Sequence, residues 1–527
     1  ATPALSTCIL ELNLQHGQLS MSSHISGLGV VPLLLAAIYT NSPGRTHHSE
    51  AKLPPDEHCT RFSIGDGHAL VARAIDAMGL EHVPAPILHY AFSDAISQNY
   101  QSDRTYPPYL KFNYAGHIWL DTRSGTQHVD EKMMGAGNEG PQFTLLYDER
   151  ASFALRDTMT RPFPQGHAVS LRSRPLDATS TMLDWQRAAD VRVVARCEYR
   201  DYPRVVVERT TRAGDERLYL DPRTGLPVKI DRYEQEALHG DRHVEYVYSN
   251  WQQTGVVLLP TATFRMVDGQ PEIERTIGQL AFTQRDSAPR MILPDTTPMP
   301  VKAPAWPAPD TVRVSDQAFL LVNRAYTNLV TLQRDTVFVL DAQLGEERAR
   351  QDSAWIAKLF PGRHPVALIV TDLAWPHISG VRFWVARGAT VFSHAASREF
   401  LTAVVDRRWT TPDALERTQP RTSLKFVSVS DSLALGGGAV RLYAIDGIGS
   451  EGAIMAYLPT DEFLYAGDYV QPAASQALYA SDVQRAARRV GIAPRRVAAM
   501  HLPLSPWAVV SAWAAGRAPA PASSGTR

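Results

Sequence analysis

The sequence predicts a two-part α+β protein, with a β-rich N-terminal part and a C-terminal part in which strands alternate with helices. Three observations carry that reading. Between about Ile87 and Arg290, apolar residues recur with a period of two in short segments broken by turn residues. Pro294 to Pro309, PDTTPMPVKAPAWPAP, has the composition of a semi-rigid linker. Beyond it, Val366 to His394 reads as buried strand, polar turn, helix and strand, a βαβ unit whose functional turn lies at the carboxyl end of its first strand.

With 527 residues the chain can bury two or more sizeable cores. A net charge of −1, with Lys and Arg scattered, excludes the basic footprint of a nucleic-acid binder. The expected division is an N-terminal extension over 1–60, a β-rich domain over 61–293, the linker over 294–310, a second domain over 311–515 and a disordered tail over 516–527.

In chain order, Ile25 to Tyr39 is an apolar run of signal-peptide length, too short for a confident membrane span. Asn41-Ser42-Pro43-Gly44 would follow it as an exposed cleavage region, but no Lys or Arg precedes Arg45. Export is the expectation, against a docked apolar segment. Cys8, Cys59 and Cys197 form no Cys-x-x-Cys pair and no zinc spacing. A Cys59–Cys197 disulfide is open to an exported chain, and isolated thiols are the expected state.

Gly65 to Leu80 carries Leu70, Val71, Ala74, Ile75 and Met78 at helical spacing. Alternating segments follow, such as Val191–Arg196, Arg204–Arg209 and Val244–Tyr248. Asp221-Pro222-Arg223-Thr224-Gly225-Leu226-Pro227 makes a tight turn between two of them. One helix leading into such a meander resembles the half-barrel of periplasmic lipoprotein carriers. That resemblance implies a curved antiparallel sheet that binds an acyl chain or packs on a neighbouring domain, and a periplasmic or cell-envelope location.

After the linker, Phe319–Val322, Leu329–Leu332 and Thr336–Leu340 read as strands. Gly345 to Phe360 reads as a helix with Glu346, Glu347, Arg348 and Arg350 on its wet side. Val366 to Val370 is a continuous apolar run, as a strand covered on both faces requires. The turn that follows it, Thr371-Asp372-Leu373-Ala374-Trp375-Pro376-His377-Ile378-Ser379-Gly380, resembles the Thr-His-x-His-x-Asp-His-x-Gly-Gly signature of the metallo-β-lactamase superfamily. The resemblance spans about Ser315 to Trp513. It implies a four-layer αββα sandwich, with a half-barrel domain before it, and a turn that in the family feeds two zinc ions.

Most of those ligands are replaced here. Asp372, Ala374 and Pro376 stand where the family has His, His and Asp, and only His377 remains. Gly447-Ile448-Gly449-Ser450-Glu451-Gly452 matches the family's Gly-His-Ser/Thr-x-Gly segment and puts Gly449 in place of its histidine. Phe463-Leu464-Tyr465-Ala466-Gly467-Asp468 is intact and implies Asp468 as bridging ligand, and His501 is implied as the late histidine. The resemblance therefore implies at most one zinc ion, on His377, Asp468 and His501, with Asp372 a weak fourth candidate. Two nitrogens, one oxygen and a water make a mononuclear catalytic set. Pro376 opposes this, because it restricts Trp375 and could reshape the turn.

Simpler readings stand beside these. A lone histidine is most often a hydrogen-bonded structural residue, the simpler reading for His377 taken alone; a carboxylate after Gly is often a turn former, and His394 reads as a packed or surface histidine rather than a substitute ligand. Gly436-Gly437-Gly438 reads as a hairpin rather than a phosphate loop, and no Gly-x-Ser-x-Gly elbow supports a serine mechanism. Trp375, Trp384 and Trp507 are candidates to fill the space left by the first ion and make it apolar. The functional expectation is a divergent, non-catalytic binding or scaffold protein of the cell envelope, taking a protein partner or an apolar small molecule. The alternative is a hydrolase of an ester, lactone or related acyl bond with one metal.

Overall fold

The computed structural model describes residues 58–517 except 62–64, 98–108, 135–138, 157–158, 164–169, 212–213, 295–297, 299–306, 324–325, 448–450 and 471–476. The signal-like segment, most of the linker, Gly449 and the expected tail beyond residue 517 lie outside the described residues.

The alternating segments form one fourteen-stranded antiparallel sheet, β1–β14, running from His58 to Thr283. Its order is a long meander, β8 to β14 in sequence, which then pairs β14 (Gln270–Thr283) with β2 (Ile87–Ser97) and continues to β7. Helices α1 (His68–Ala77) and α2 (Ala178–Gln186) lie on one face, where Val71, Ala74, Ile75, Met182 and Trp185 share a core with Tyr90, Ile118, Val207, Ile230 and Tyr246. Period-two alternation supplies that apolar face and leaves the other to polar and ring side chains. Cys59 on β1 (His58–Arg61) sits directly opposite Cys197 on β8 (Val191–Tyr199), and the two form a disulfide. The expectation of isolated thiols is thus corrected; antiparallel pairing brings together two residues 138 apart in sequence.

Residues 310–435 and beyond build two further sheets. The first has seven strands, β15 to β21 in sequence order, antiparallel up to β18 (Thr336–Leu340) and parallel from there to β21 (Lys425–Val429). The second has six, β22 to β27. Gly436–Gly438 connects the antiparallel strands β22 (Ser432–Leu435) and β23 (Val440–Ala444), as a hairpin should.

A core between these sheets joins Leu320, Leu340, Ala367 and Ile369 to Leu442, Ile454, Phe463 and Ala498. Outside the first sheet pack α3 (Glu346–Leu359), α4 (Trp375–Ile378), α5 (Val381–Ala386), α6 (Arg398–Asp406) and α7 (Ala414–Arg417); outside the second pack α8 (Ala477–Arg489) and α9 (Ala508–Ala514). Strand β19 (Val366–Ile369) shows why its apolar run is unbroken. Ala367 and Ile369 face the other sheet while Leu368 faces the helices, so beyond the half-buried Val366 no position of the strand is open to water.

One expected surface residue is inside. Arg348 is fully buried, where its Nε donates to Asp352 Oδ1 at 2.7 Å and its Nη2 donates to Asn328 Oδ1 at 3.0 Å. An i,i+4 carboxylate makes that burial tolerable and takes Arg348 off the wet side.

The large sheet reaches into the second part of the chain through the turn between β11 (Pro227–Glu236) and β12 (Gly240–Thr254). Leu238 in that turn is fully buried in the helix-side core of the seven-stranded sheet. Around it, Arg407 donates to the Asp241 carbonyl at 2.8 Å, Gln235 donates to Thr411 at 3.1 Å, and Trp409 covers Gly240 so closely that a Cβ there would overlap the indole. His239 meets the Trp375 ring edge-on at 4.4 Å, and Arg242 lies 5.2 Å over the same ring. His239→Ala is expected to lower stability by about 1 kcal/mol, the scale of one aromatic pair, read as a lower denaturation midpoint without a changed slope.

Candidate metal centre

The centre is built at the carboxyl ends of β18 and β19. The buried carboxylate of Asp341, just past β18, accepts from Thr371 N at 2.8 Å and from Thr371 Oγ1 at 2.9 and 2.8 Å. This ties the start of the turn to the neighbouring strand. Burial, then the Asp372 charge, pushes the Asp341 carboxyl up to about 7. Pro376 lies in the first turn of α4, where a helix leaves N–H groups unsatisfied, so its missing donor costs nothing there. Its carbonyl accepts from Leu344 N at 2.7 Å and that of His377 from Ala342 N at 2.9 Å, which fixes the short helix against the β18 end. Gly380 closes the segment at a point where a Cβ would crowd the Ala342 carbonyl and Ala349.

His377 is thereby buried with its Nδ1 3.1 Å from Asp372 Oδ1, and the same oxygen accepts from Ala374 N at 2.9 Å. With Nδ1–H donating to Asp372, Nε2 faces the other way, and there Asp468 Oδ1 stands 4.0 Å off. His501 Nε2 lies 3.3 Å from the same oxygen. One atom from each of His377, Asp468 and His501 falls within 4.8 Å of the others, the one such set of three among the described residues. An ion about 2.0–2.2 Å from each would space its ligands about 3.3–3.6 Å apart. The His501–Asp468 pair already has that spacing, and the His377–Asp468 pair would close by about half an ångström.

Burial by itself would depress the His377 imidazole, but the carboxylates of Asp468 and Asp372 outweigh it and raise the ring to about 9. Gly467 turns the chain into Asp468 at φ +57°, with no room for a Cβ beside Thr371 Oγ1. Tyr326, at the start of β17 (Tyr326–Gln333), covers the group, its ring 5.0 Å from that of His501 and 6.3 Å from that of His377. Burial, then the Asp468 charge, holds its phenol protonated well above the usual tyrosine range.

The structure thus brings His377, Asp468 and His501 together and puts Asp372 at the Nδ1 side of the His377 ring, where it also accepts from the Asp468 backbone N–H. Ala374 brings no donor side chain, and Gly449 lies outside the described residues. Sequence reasoning missed Tyr326 and the part played by Asp341; the polar residue directly ending an apolar strand was the available signal for the latter. The three tryptophans do not fill a vacated pocket. Trp375 and Trp384 belong to the helix-side core of the seven-stranded sheet, Trp507 packs on the six-stranded one, and Trp375 is drawn outward by His239 and Arg242. His394 is half-buried and accepts from Ala396 N at 3.2 Å, capping the turn that follows β20 (Thr390–His394).

No known family profile and no curated protein matches the chain. Among solved structures, DIM-1 metallo-beta-lactamase exposed to ceftazidime is 14% identical, with a TM-score of 0.31, covering 40% of this chain and 97% of its own. A metallo-beta-lactamase from Hirschia baltica is 12% identical, with a TM-score of 0.31, covering 41% of this chain and 100% of its own. One from Pontibacter korlensis is 17% identical, with a TM-score of 0.28, covering 38% and 95%.

Proposed function

We propose that this is a cell-envelope protein whose second domain, over 311–515, is a four-layer αββα sandwich of metallo-β-lactamase type that holds one divalent metal ion on His377, Asp468 and His501. The first domain, over 61–293, is then a half-barrel of the lipoprotein-carrier kind that packs against it. The observation that carries the metal reading is the bond from His377 Nδ1 to Asp372, because a histidine ligand is typically oriented by a carboxylate on its other nitrogen. Asp372 therefore supports a ligand rather than serving as one. The Cys59–Cys197 disulfide favours an oxidising compartment and hence export.

The reaction that fits this site best is hydrolysis of an ester, lactone or related acyl bond. A zinc ion in a three-ligand set with an open position lowers the pKa of water to about 7 and polarises a carbonyl. The chain's own part is to orient His377 through Asp372, to place Asp468 between the two histidines, and to cover the group with the Tyr326 ring. The second reading, a non-catalytic binding or scaffold protein, is favoured by the loss of donor side chains at Ala374 and Gly449.

Elemental analysis of the purified protein, with p-nitrophenyl ester and lactone turnover before and after chelation, separates the two. About one equivalent of zinc and turnover that chelation removes are expected. Less than about a tenth of an equivalent, with folding unchanged by chelator, would leave the binding reading.

A further inference from the structure

On the face of the large sheet away from its helices, a row of ring side chains crosses β2, β3 (Lys111–Asp121) and β4 (Gln127–Met134). The register pairs His89 with Trp119 and His117 with Ala91 between β2 and β3, then His117 with Asp130 and Trp119 with His128 between β3 and β4. Leu88, Tyr90, Ile118, Leu120 and Val129 alternate with these residues and point into the helix-covered core. His89, His117, Trp119, His128 and Asp130 therefore share the outer face.

From this geometry we infer a second metal site, on His89 and His117 with Asp130 as the third ligand, suited to a divalent transition-metal ion and to copper(II) above the others. His89 Nε2 and His117 Nδ1 stand 3.2 Å apart. Two nitrogens about 2.0–2.1 Å from one ion lie about 2.9–3.4 Å apart at square-planar to tetrahedral angles, so the pair is already spaced for sharing it. Trp119 stacks on His89 at 4.6 Å with planes 12° apart, which restricts rotation of that ring.

Asp130 is the residue directly across from His117, and facing side chains on adjacent strands are within reach of each other. Its Oδ1 accepts from Thr144 at 2.6 Å and lies 3.4 Å from His128 Nε2, and it does not stand within 4.8 Å of both ring nitrogens as the His377 set does, so joining the ion requires it to turn from those partners. His128 is occupied differently: its Nδ1 is 3.0 Å from the Arg290 carbonyl, which leaves it a partner to Asp130 rather than a ligand. Two imidazoles and a carboxylate on one sheet face favour tetragonal nitrogen–oxygen coordination, and among first-row divalent ions copper binds such donors most tightly.

The site is independent of the His377 centre and is tested with that centre removed. Full-length protein carrying His377→Ala and His501→Ala is titrated with copper(II) and followed by electron paramagnetic resonance. About one equivalent with hyperfine structure from two nitrogens is expected. Adding His89→Ala and His117→Ala should abolish it, and adding His128→Ala instead should leave it in place. Failure of the double variant to bind copper, or a signal that survives loss of His89 and His117, would overturn the site. A measurement without variants covers misfolding: copper should protect His89 and His117 of the native protein from diethyl pyrocarbonate, and equal modification with and without copper would also overturn it.

Discussion

Asp468→Ala is expected to abolish binding at the His377 centre, whereas Asp372→Asn should weaken it by about 10–100-fold. The difference follows from where each carboxylate stands. Asp468 Oδ1 lies 3.3 Å from His501 Nε2 and 4.0 Å from His377 Nε2, so its removal leaves two histidines and no anion between them. Two neutral nitrogens alone make a weak zinc site. Asp372 meets the far nitrogen of His377, the backbone N–H groups of Ala374 and Asp468 and the Thr371 hydroxyl, so an amide keeps the ring near its place and loses the charge that strengthens it as a donor. Competition for zinc against a chromogenic chelator measures both, with thermal unfolding as the check that each variant folds. Equal affinities for wild type and Asp468→Ala would place any bound zinc elsewhere.

The sequence displayed this centre unevenly, and the reason is physical. Asp468 and His501 sit in local patterns, the Phe463–Asp468 strand end and the Ala499-Met500-His501-Leu502-Pro503 segment after a helix, that survive as readable text. Asp372 could be read only as a missing histidine, because its role depends on a short helix that turns His377 back over it. Nothing along the chain showed that Pro376 would start that helix rather than distort it. Strand β19 was legible because burial on two faces demands an unbroken apolar run. Arg348 was misread because charge suggested water, although Asp352 stood at the helical spacing that lets an arginine go inside. The contact of His239 with Trp375 joins residues far apart in the chain, and no periodicity or motif reports such a pair. Elements set by nearest neighbours were therefore readable, while side chains whose partners come from another sheet were not.

Glu234→Gln should destabilise the large sheet by about 3–5 kcal/mol, the scale of breaking a buried ion pair. Glu234 on β11 receives Arg232 Nη2 at 2.7 Å on one oxygen, and Arg265 Nη2 at 2.7 Å and Arg172 Nε at 3.1 Å on the other. Arg232 also pairs with Glu216 at 2.7 Å, and Arg265 with Glu272. An amide in place of Glu234 leaves three arginines with those two remaining carboxylates in a region sheltered from water. Burial alone would raise the Glu234 carboxyl, but Arg265, Arg232 and Arg172 outweigh it and hold it well below the usual range. Because the folded-state pKa is depressed, the stabilisation is fully present above the unfolded value of about 4.3 and is lost as pH falls below it. Wild type and Glu234→Gln should therefore differ most at neutral pH and converge in acid. The exposed pair Lys111–Glu274, with side chains 44% and 37% accessible, is the control. Glu274→Gln should cost no more than about 1 kcal/mol, since water already solvates both charges. Urea denaturation of the three proteins from pH 7 down to about pH 2 measures all of this, and a Glu234→Gln midpoint matching that of Glu274→Gln at pH 7 would remove the arginine cluster from the forces that hold the sheet together.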